Sequence, residues 1–300
     1  MKKTRSWLKA FRLRTLPLSF SSVLLGSFLA ISHWNFNIKV MIWALITTLF
    51  LQILSNLAND YGDSSHGVDN QNRIGPKRSI QSGEISIFKM KIGIIVFAML
   101  SLCSGLYLLF IGTKGLQKSS FLIMLILGLL AIVAALKYTM GKNPYGYTGL
   151  GDISVFLFFG LTGVLGTLFL HTHKIILLDL LPALSVGFFS TGVLNINNLR
   201  DEENDKAFGK NTMVVRLGSH KSKIYHAILI CAGMAATFIY TLMTFKTGWE
   251  YLYLLCFPFF IKDLVTVLKN KIPATLDSEL KKLALTCFVF TLLFGMGILL

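Results

Sequence analysis

The stretch "IKVMIWALITTLFLQILSNLANDYGDSSHGVDN", residues 38–70, opens as a long apolar run and closes on Asp60, Asp63 and Asp69. Asn56 and Asn59 stand just before the acids. A helix needs ~20 mainly apolar residues to cross a bilayer, and the run supplies them. The chain holds only 14 acidic residues in 300. Three of them within ten positions, where the chain leaves a membrane, require a physical reason.

The apolar signature recurs near 16–33, 38–58, 88–112, 119–137, 153–170, 175–194, 225–245, 249–268 and 282–300. Apolar residues make up 54% of the chain and charged residues 14%, against about 25% charged in a soluble domain. Mean hydropathy is +0.65. The fold class is therefore all-α, a polytopic membrane protein with nine transmembrane helices in a single domain over 1–300. The first span does not read as a cleavable signal peptide, because no small-residue cleavage site closes it and further spans follow. Cys103, Cys231, Cys256 and Cys287 all fall within spans and form no CxxC pair. They read as packing residues, neither a disulfide framework nor a zinc site.

The net charge of +15 is a matter of topology. Numbering ends and loops alternately puts 24 of the 29 Lys and Arg on the side of the N-terminus. The other side holds Lys39, Lys114, Lys118, Lys174 and Lys246. The positive-inside rule makes the first side cytoplasmic, and the acids of 59–69 with it. No nucleic-acid partner is needed to explain the basicity. The "HTH" at 171–173 falls on the outer side and reads as a polar turn rather than a metal pair.

A second acidic cluster, "NINNLRDEENDKAFGKNT" at 195–212, also follows an apolar run. Asn198, Asp201 and Asp205 share one helical face, as do Asn56, Asn59 or Asp60, and Asp63 in the first cluster. With Asp69, Glu202 and Glu203, the two clusters hold half of the chain's acids. Each is expected to continue its transmembrane helix by about two turns. The N-x-x-N frame occurs in both, four spans apart, as a parallel repeat would place it: spans 1–4, spans 5–8 and a ninth helix.

Carboxylates stacked on one helical face repel unless a cation lies between them, and acids near a helix C-terminus oppose its dipole. Hard oxygen ligands of this kind suit Mg²⁺, which takes one or two carboxylates and completes its shell with water and substrate phosphate. Arg73, Lys77 and Arg78 follow the first cluster, and Arg200, Lys206 and Lys210 are interleaved with the second. Bases beside metal-held phosphate favour departure of a diphosphate.

"NDYGD" (59–63), "GVD" (67–69), "GPKRSIQSG" (75–83) and "NNLRDEENDKAFGKNT" (197–212) together resemble the UbiA superfamily of intramembrane aromatic prenyltransferases. The likeness covers nearly the whole chain: "WLKAFRLRTLPLSF" (7–20), "KYTMGKNPYGYTGLGD" (137–152) and "TMVVRLG" (212–218) also fit it. Gly67 stands where the general NDxxDxxxD pattern has its last Asp, and Asp69 comes two later. That variant resembles the menaquinone branch, which acts on 1,4-dihydroxy-2-naphthoate.

The resemblance implies transfer of a polyprenyl group from polyprenyl diphosphate to that acceptor, with loss of CO₂, giving demethylmenaquinone. It implies two Mg²⁺ bridging the diphosphate, ligated by Asn59 and Asp63 on one side and Asp201 and Asp205 on the other. Asn56, Asp60 and Asn198 would be ligands or orient them. Lys77, Arg78, Arg200, Lys206, Lys210 and Tyr138 would meet the diphosphate. By their position before the first apolar run, Arg12 and Arg14 read as cytoplasmic anchors of the first helix, with a ligand role as the alternative. The lipid bilayer is the second partner, since one substrate is itself a lipid. A bacterial plasma membrane is the expected location, no transit peptide being apparent. Rival readings are the same chemistry on 4-hydroxybenzoate, homogentisate or haem, or a cation transporter. The transporter is disfavoured because such proteins place ionisable groups near the midplane.

Overall fold

The computed structural model describes residues 2–71, 73–244 and 247–300, with residues 2 and 3 as backbone only. Lys246, residue 245 at the end of the seventh apolar stretch, and Asn72 lie outside the described residues. Among the described residues 81% are helical and none is in a strand. Among the same residues, nine helices are long and apolar enough to cross a membrane. They are α1 (Thr4–Ser32), α2 (Ile38–Ser65), α3 (Ile87–Gly112), α4 (Lys118–Lys137), α5 (Gly151–Thr172), α6 (Leu177–Ala207), α7 (Ser219–Thr244), α8 (Trp249–Lys269) and α9 (Pro273–Leu299).

Each apolar stretch of the sequence is one of these helices, but several helices outrun their apolar part. α2 continues to Ser65 and α6 to Ala207, so both acidic motifs are helical. Hydropathy marks where the bilayer ends, while backbone hydrogen bonding carries the helix on. α1 starts well before its apolar part and bends at Arg12, whose φ of 48° is left-handed. Its first turns lie across α2 and α3, with Phe11 edge-on to Phe97 at 5.1 Å.

Helix ends follow local chemistry. The Asn37 side chain accepts from Lys39 N to cap α2, and Ser86 caps α3 by accepting from Lys89 N. Against lipid no hydrophobic force draws helices together, so packing and small residues decide their contacts. A Cβ on Gly160 of α5 would lie 2.7 Å from the Gly187 Cα of α6, so this crossing needs glycine. α6 is the most buried helix. Its Phe189 stacks on Phe260 of α8 at 4.2 Å, and Phe290 of α9 meets it edge-on at 5.2 Å. α4 buries no residue at all and packs along α2 and α3 at the periphery. Phe156–Leu165 of α5 winds as a π-helix, a widened turn often found at functional sites.

Candidate active site

Helices α1–α6 enclose a cavity of about 450 Å³. Along α3, α4 and α5 its wall is mostly apolar, with Leu106, Leu109, Met124, Leu125, Phe158 and Phe159. At the other end stand Asn59 and Asp63 of α2, and Asn198, Asp201 and Asp205 of α6. The spacings that put each set on one helical face thus bring the two faces to one cavity. Arg73, Arg78, Lys210 and Tyr138, which the sequence groups with the acids, line it too, and so does Arg12.

The acids do not face each other bare. Lys210 Nζ lies 3.5 Å from Asp63 Oδ1 and 3.7 Å from Asp205 Oδ1. Arg73 lies 3.2 Å from Asp69 and 3.6 Å from Asp201, and Arg78 lies 3.6 Å from Asp69. Burial alone would lower the Lys210 pKa, but Asp63 and Asp205 outweigh it and hold the ammonium charged. Burial, followed by the charge of Asp63, pushes Asp69 up to about 7 although Arg73 pulls it down.

The loop after α4 supplies a third wall. Tyr147 donates from Oη to Asp63 Oδ1 at 2.8 Å, and the Lys210 ammonium sits 5.3 Å above the Tyr147 ring. Burial and then Asp63 raise the Tyr147 hydroxyl pKa, so it stays a donor. Burial does the same for Tyr138. Thr139 Oγ1 lies 3.0 Å from the Ala58 carbonyl and 3.2 Å from Asn59 Oδ1, donating to that pair. The loop can approach because residue 62 is glycine: a Cβ there would lie 2.5 Å from Thr139 O. Nothing in the sequence singled out Tyr147 or Thr139. Their partners are 84 and about 80 residues away, so only the loop's likeness to the family pointed here.

Five residues grouped with the site by sequence are placed elsewhere. Asp60 turns away from the cavity and accepts from the backbone N–H of Ser79 at 3.0 Å and of Ile80 at 3.4 Å. Both oxygens are thus used to fold the segment after α2. The Asn56 amide donates to the Phe11 carbonyl at 2.9 Å and to Thr15 Oγ1 at 3.2 Å, pinning the bend of α1. Arg200 grips Asp201 through two nitrogens, at 2.9 and 2.6 Å, and reaches Asp277 at 2.8 Å. It is taken up by these two carboxylates and does not line the cavity. Lys77 and Lys206 are exposed and outside the cavity wall. The bases that line it are Arg73, Arg78, Lys210 and Arg12. The "HTH" segment is the end of α5 rather than a turn: His171 and Thr172 are still helical, and His171 is buried, 3.1 Å from Ser27 Oγ and accepting from Asn37 N at 3.1 Å.

The donor set fits a divalent cation held jointly with a phosphate. All its protein atoms are hard oxygens. Asp205 Oδ2 and both Asp69 oxygens are buried without a hydrogen bond among the described residues. No three acids or histidines converge tightly enough to cage an ion alone among those residues. The carboxylates stand on facing helices, and Lys210 and Arg73 bridge the space between them.

Among the described residues, a nine-helix bundle whose first six helices enclose a largely apolar chamber, with acids and bases opposed at one end, has the chemistry to suit a lipid that carries an anionic head. Comparison with known proteins agrees. The chain belongs to the UbiA prenyltransferase family, which it matches over residues 19–286. It is 43% identical to the 1,4-dihydroxy-2-naphthoate octaprenyltransferase of Haemophilus influenzae, over 99% of this chain and 96% of that one. It is 42% identical to the Escherichia coli protein of the same name, with the same coverage. In fold it resembles a UbiA homologue from Archaeoglobus fulgidus bound to DMAPP and Mg²⁺: TM-score 0.64, 17% identity, 97% of this chain and 98% of that one.

Proposed function

We propose that this protein transfers a polyprenyl group from polyprenyl diphosphate to 1,4-dihydroxy-2-naphthoate, with loss of CO₂, giving demethylmenaquinol, the reduced form of demethylmenaquinone. The observation that carries the proposal is the pair of acidic motifs opposed across the end of a cavity whose remaining wall is largely apolar. Similarity to naphthoate octaprenyltransferases supports the acceptor.

Asn59 and Asp63 on α2 and Asp201 and Asp205 on α6 would hold two Mg²⁺, with Asn198 beside them. When bound, the ions supply positive charge to the donor's diphosphate. Arg73, Arg78 and Lys210 take up its remaining charge, and Tyr138 helps to place it. The prenyl tail lies along the apolar wall of α3–α5, where burial contributes ~0.8 kcal/mol per CH₂. The allylic C–O bond breaks and diphosphate leaves with the bonding pair. The ring carbon bearing the acceptor's carboxylate attacks the allyl cation, and CO₂ departs, returning its bonding pair to the ring. Phe158 and Phe159 keep water from that wall. The N-terminus and the acidic end face the cytoplasm, in the plasma membrane.

The bundle is one domain of two parallel four-helix repeats and a ninth helix. In support, Asn56 and Asn195 both donate to a neighbouring segment's backbone. Four spans apart, Asn59 and Asn198 both line the cavity.

Transfer of a radiolabelled prenyl group by the purified protein tests the reading. Product is expected with dihydroxynaphthoate, little with 4-hydroxybenzoate or homogentisate, and none after EDTA. Preference for another acceptor would replace the naphthoate. Activity that survives EDTA would remove the metal.

A further inference from the structure

Arg73 and Lys210 share a geometry. Lys210 spans Asp63 of the first motif and Asp205 of the second, at 3.5 and 3.7 Å. Arg73 spans Asp69, which follows the first motif, and Asp201 of the second, at 3.2 and 3.6 Å. Each cation therefore joins one acid of the α2 side to one acid of the α6 side. Arg73 and Lys210 have side chains only 5% and 10% exposed. The Tyr147 ring lies 5.3 Å under the Lys210 ammonium.

We infer that Arg73 and Lys210 are internal counter-ions that hold the two motifs together until the donor arrives, so that divalent cations bind only along with a diphosphate. The inference rests on the metal–diphosphate reading above and adds the order of binding. Four carboxylates, Asp63, Asp69, Asp201 and Asp205, already meet four cations, Arg73, Arg78, Arg200 and Lys210. A bare divalent ion entering this balanced site must displace an ammonium or guanidinium without giving it a new partner. A diphosphate supplies that partner. Lys210 and Arg73 pass to its oxygens, and the carboxylates are released to the metal. Asp205 Oδ2, buried without a hydrogen bond, is the first oxygen open to the ion.

The test is Mn²⁺ binding to the full chain in nanodiscs at pH 8, read by the EPR signal of free Mn²⁺. Titrations are run without anion, with inorganic diphosphate, and with a non-reactive prenyl thiolodiphosphate. For the unaltered protein, Mn²⁺ affinity should rise at least tenfold when either diphosphate is present. In Lys210→Met, Mn²⁺ alone should bind about tenfold more tightly than in the parent, and the gain from diphosphate should shrink. Lys210→Arg should restore the parent's behaviour, showing that the charge and not the fold is responsible. If Lys210→Met and Arg73→Met both leave affinity for Mn²⁺ alone unchanged while diphosphate still strengthens it, the counter-ion role is wrong and the metal–diphosphate site stands. If diphosphate has no effect on Mn²⁺ in the parent, the metal–diphosphate site itself fails.

Discussion

Asp60 and Asp63 lie on the same helix, three residues apart, and their surroundings give them different work. Asp63 faces the cavity with Lys210 and Tyr147 upon it. Asp60 faces the backbone of 79–80 and satisfies two N–H groups there. Asp60→Ala strands both donors in a buried place, at ~1–3 kcal/mol for each unsatisfied group. The thermal midpoint should therefore fall, while the folded fraction keeps its turnover. A normal midpoint with turnover lost would move Asp60 into the metal site. The sequence could not separate these two acids. Helical spacing put Asp60 close enough to the ligand face to count, and the groups that claim it lie 19 and 20 residues further on. Arg200 shows the reverse: its place beside Asp201 in the sequence suggests a base that faces the ligand, whereas its guanidinium is taken up by Asp201 and Asp277 and does not line the cavity.

Between elements, the decisive contact is that of the α4–α5 loop on α2. Thr139 reaches the Ala58 carbonyl and Asn59 only because Gly62 has no side chain. In Gly62→Ala the new methyl meets Thr139 O at 2.5 Å, so the loop must lift from the helix. Tyr147 would leave Asp63 with it. Turnover should fall by at least tenfold, about 1.4 kcal/mol of barrier, with insertion of the protein unchanged. Unchanged turnover would show that the loop is not a wall of the site. The glycine was visible within "NDYGD", but its reason is a backbone contact from a segment about 77 residues distant and left no periodic trace. By contrast, the helices of both motifs were legible, because an i, i+3, i+4 pattern of polar residues states which face is shared.

Over the whole molecule, hydropathy sufficed for the nine helices, since a bilayer forces every backbone polar group into helical hydrogen bonds. It located helix ends less well: α6 runs 13 residues past the apolar limit at 194, to Ala207. Orientation rests on the 24 to five distribution of Lys and Arg. Single cysteines replacing Ser65 and Lys206 in a background without native cysteines should resist an impermeant thiol reagent applied from outside, while one replacing Lys174 reacts. All three positions are exposed. Labelling of the Ser65 position from outside would reverse the molecule and place the acidic end on the outer face.

The central claim is that the motifs of α2 and α6 act as one unit on the donor's diphosphate. Diphosphate release should be followed in the unaltered protein, in Asp63→Asn, in Asp205→Asn and in the double variant, each normalised to inserted protein. Both single variants are expected to lose at least a hundredfold in kcat, about 2.7 kcal/mol of barrier. The double variant should lose little more than either one, because residues that hold the same group act together and their effects do not add. Single variants that keep more than about a tenth of the activity, a barrier change under ~1.4 kcal/mol, or a double variant whose loss is the product of the two, would contradict a shared site.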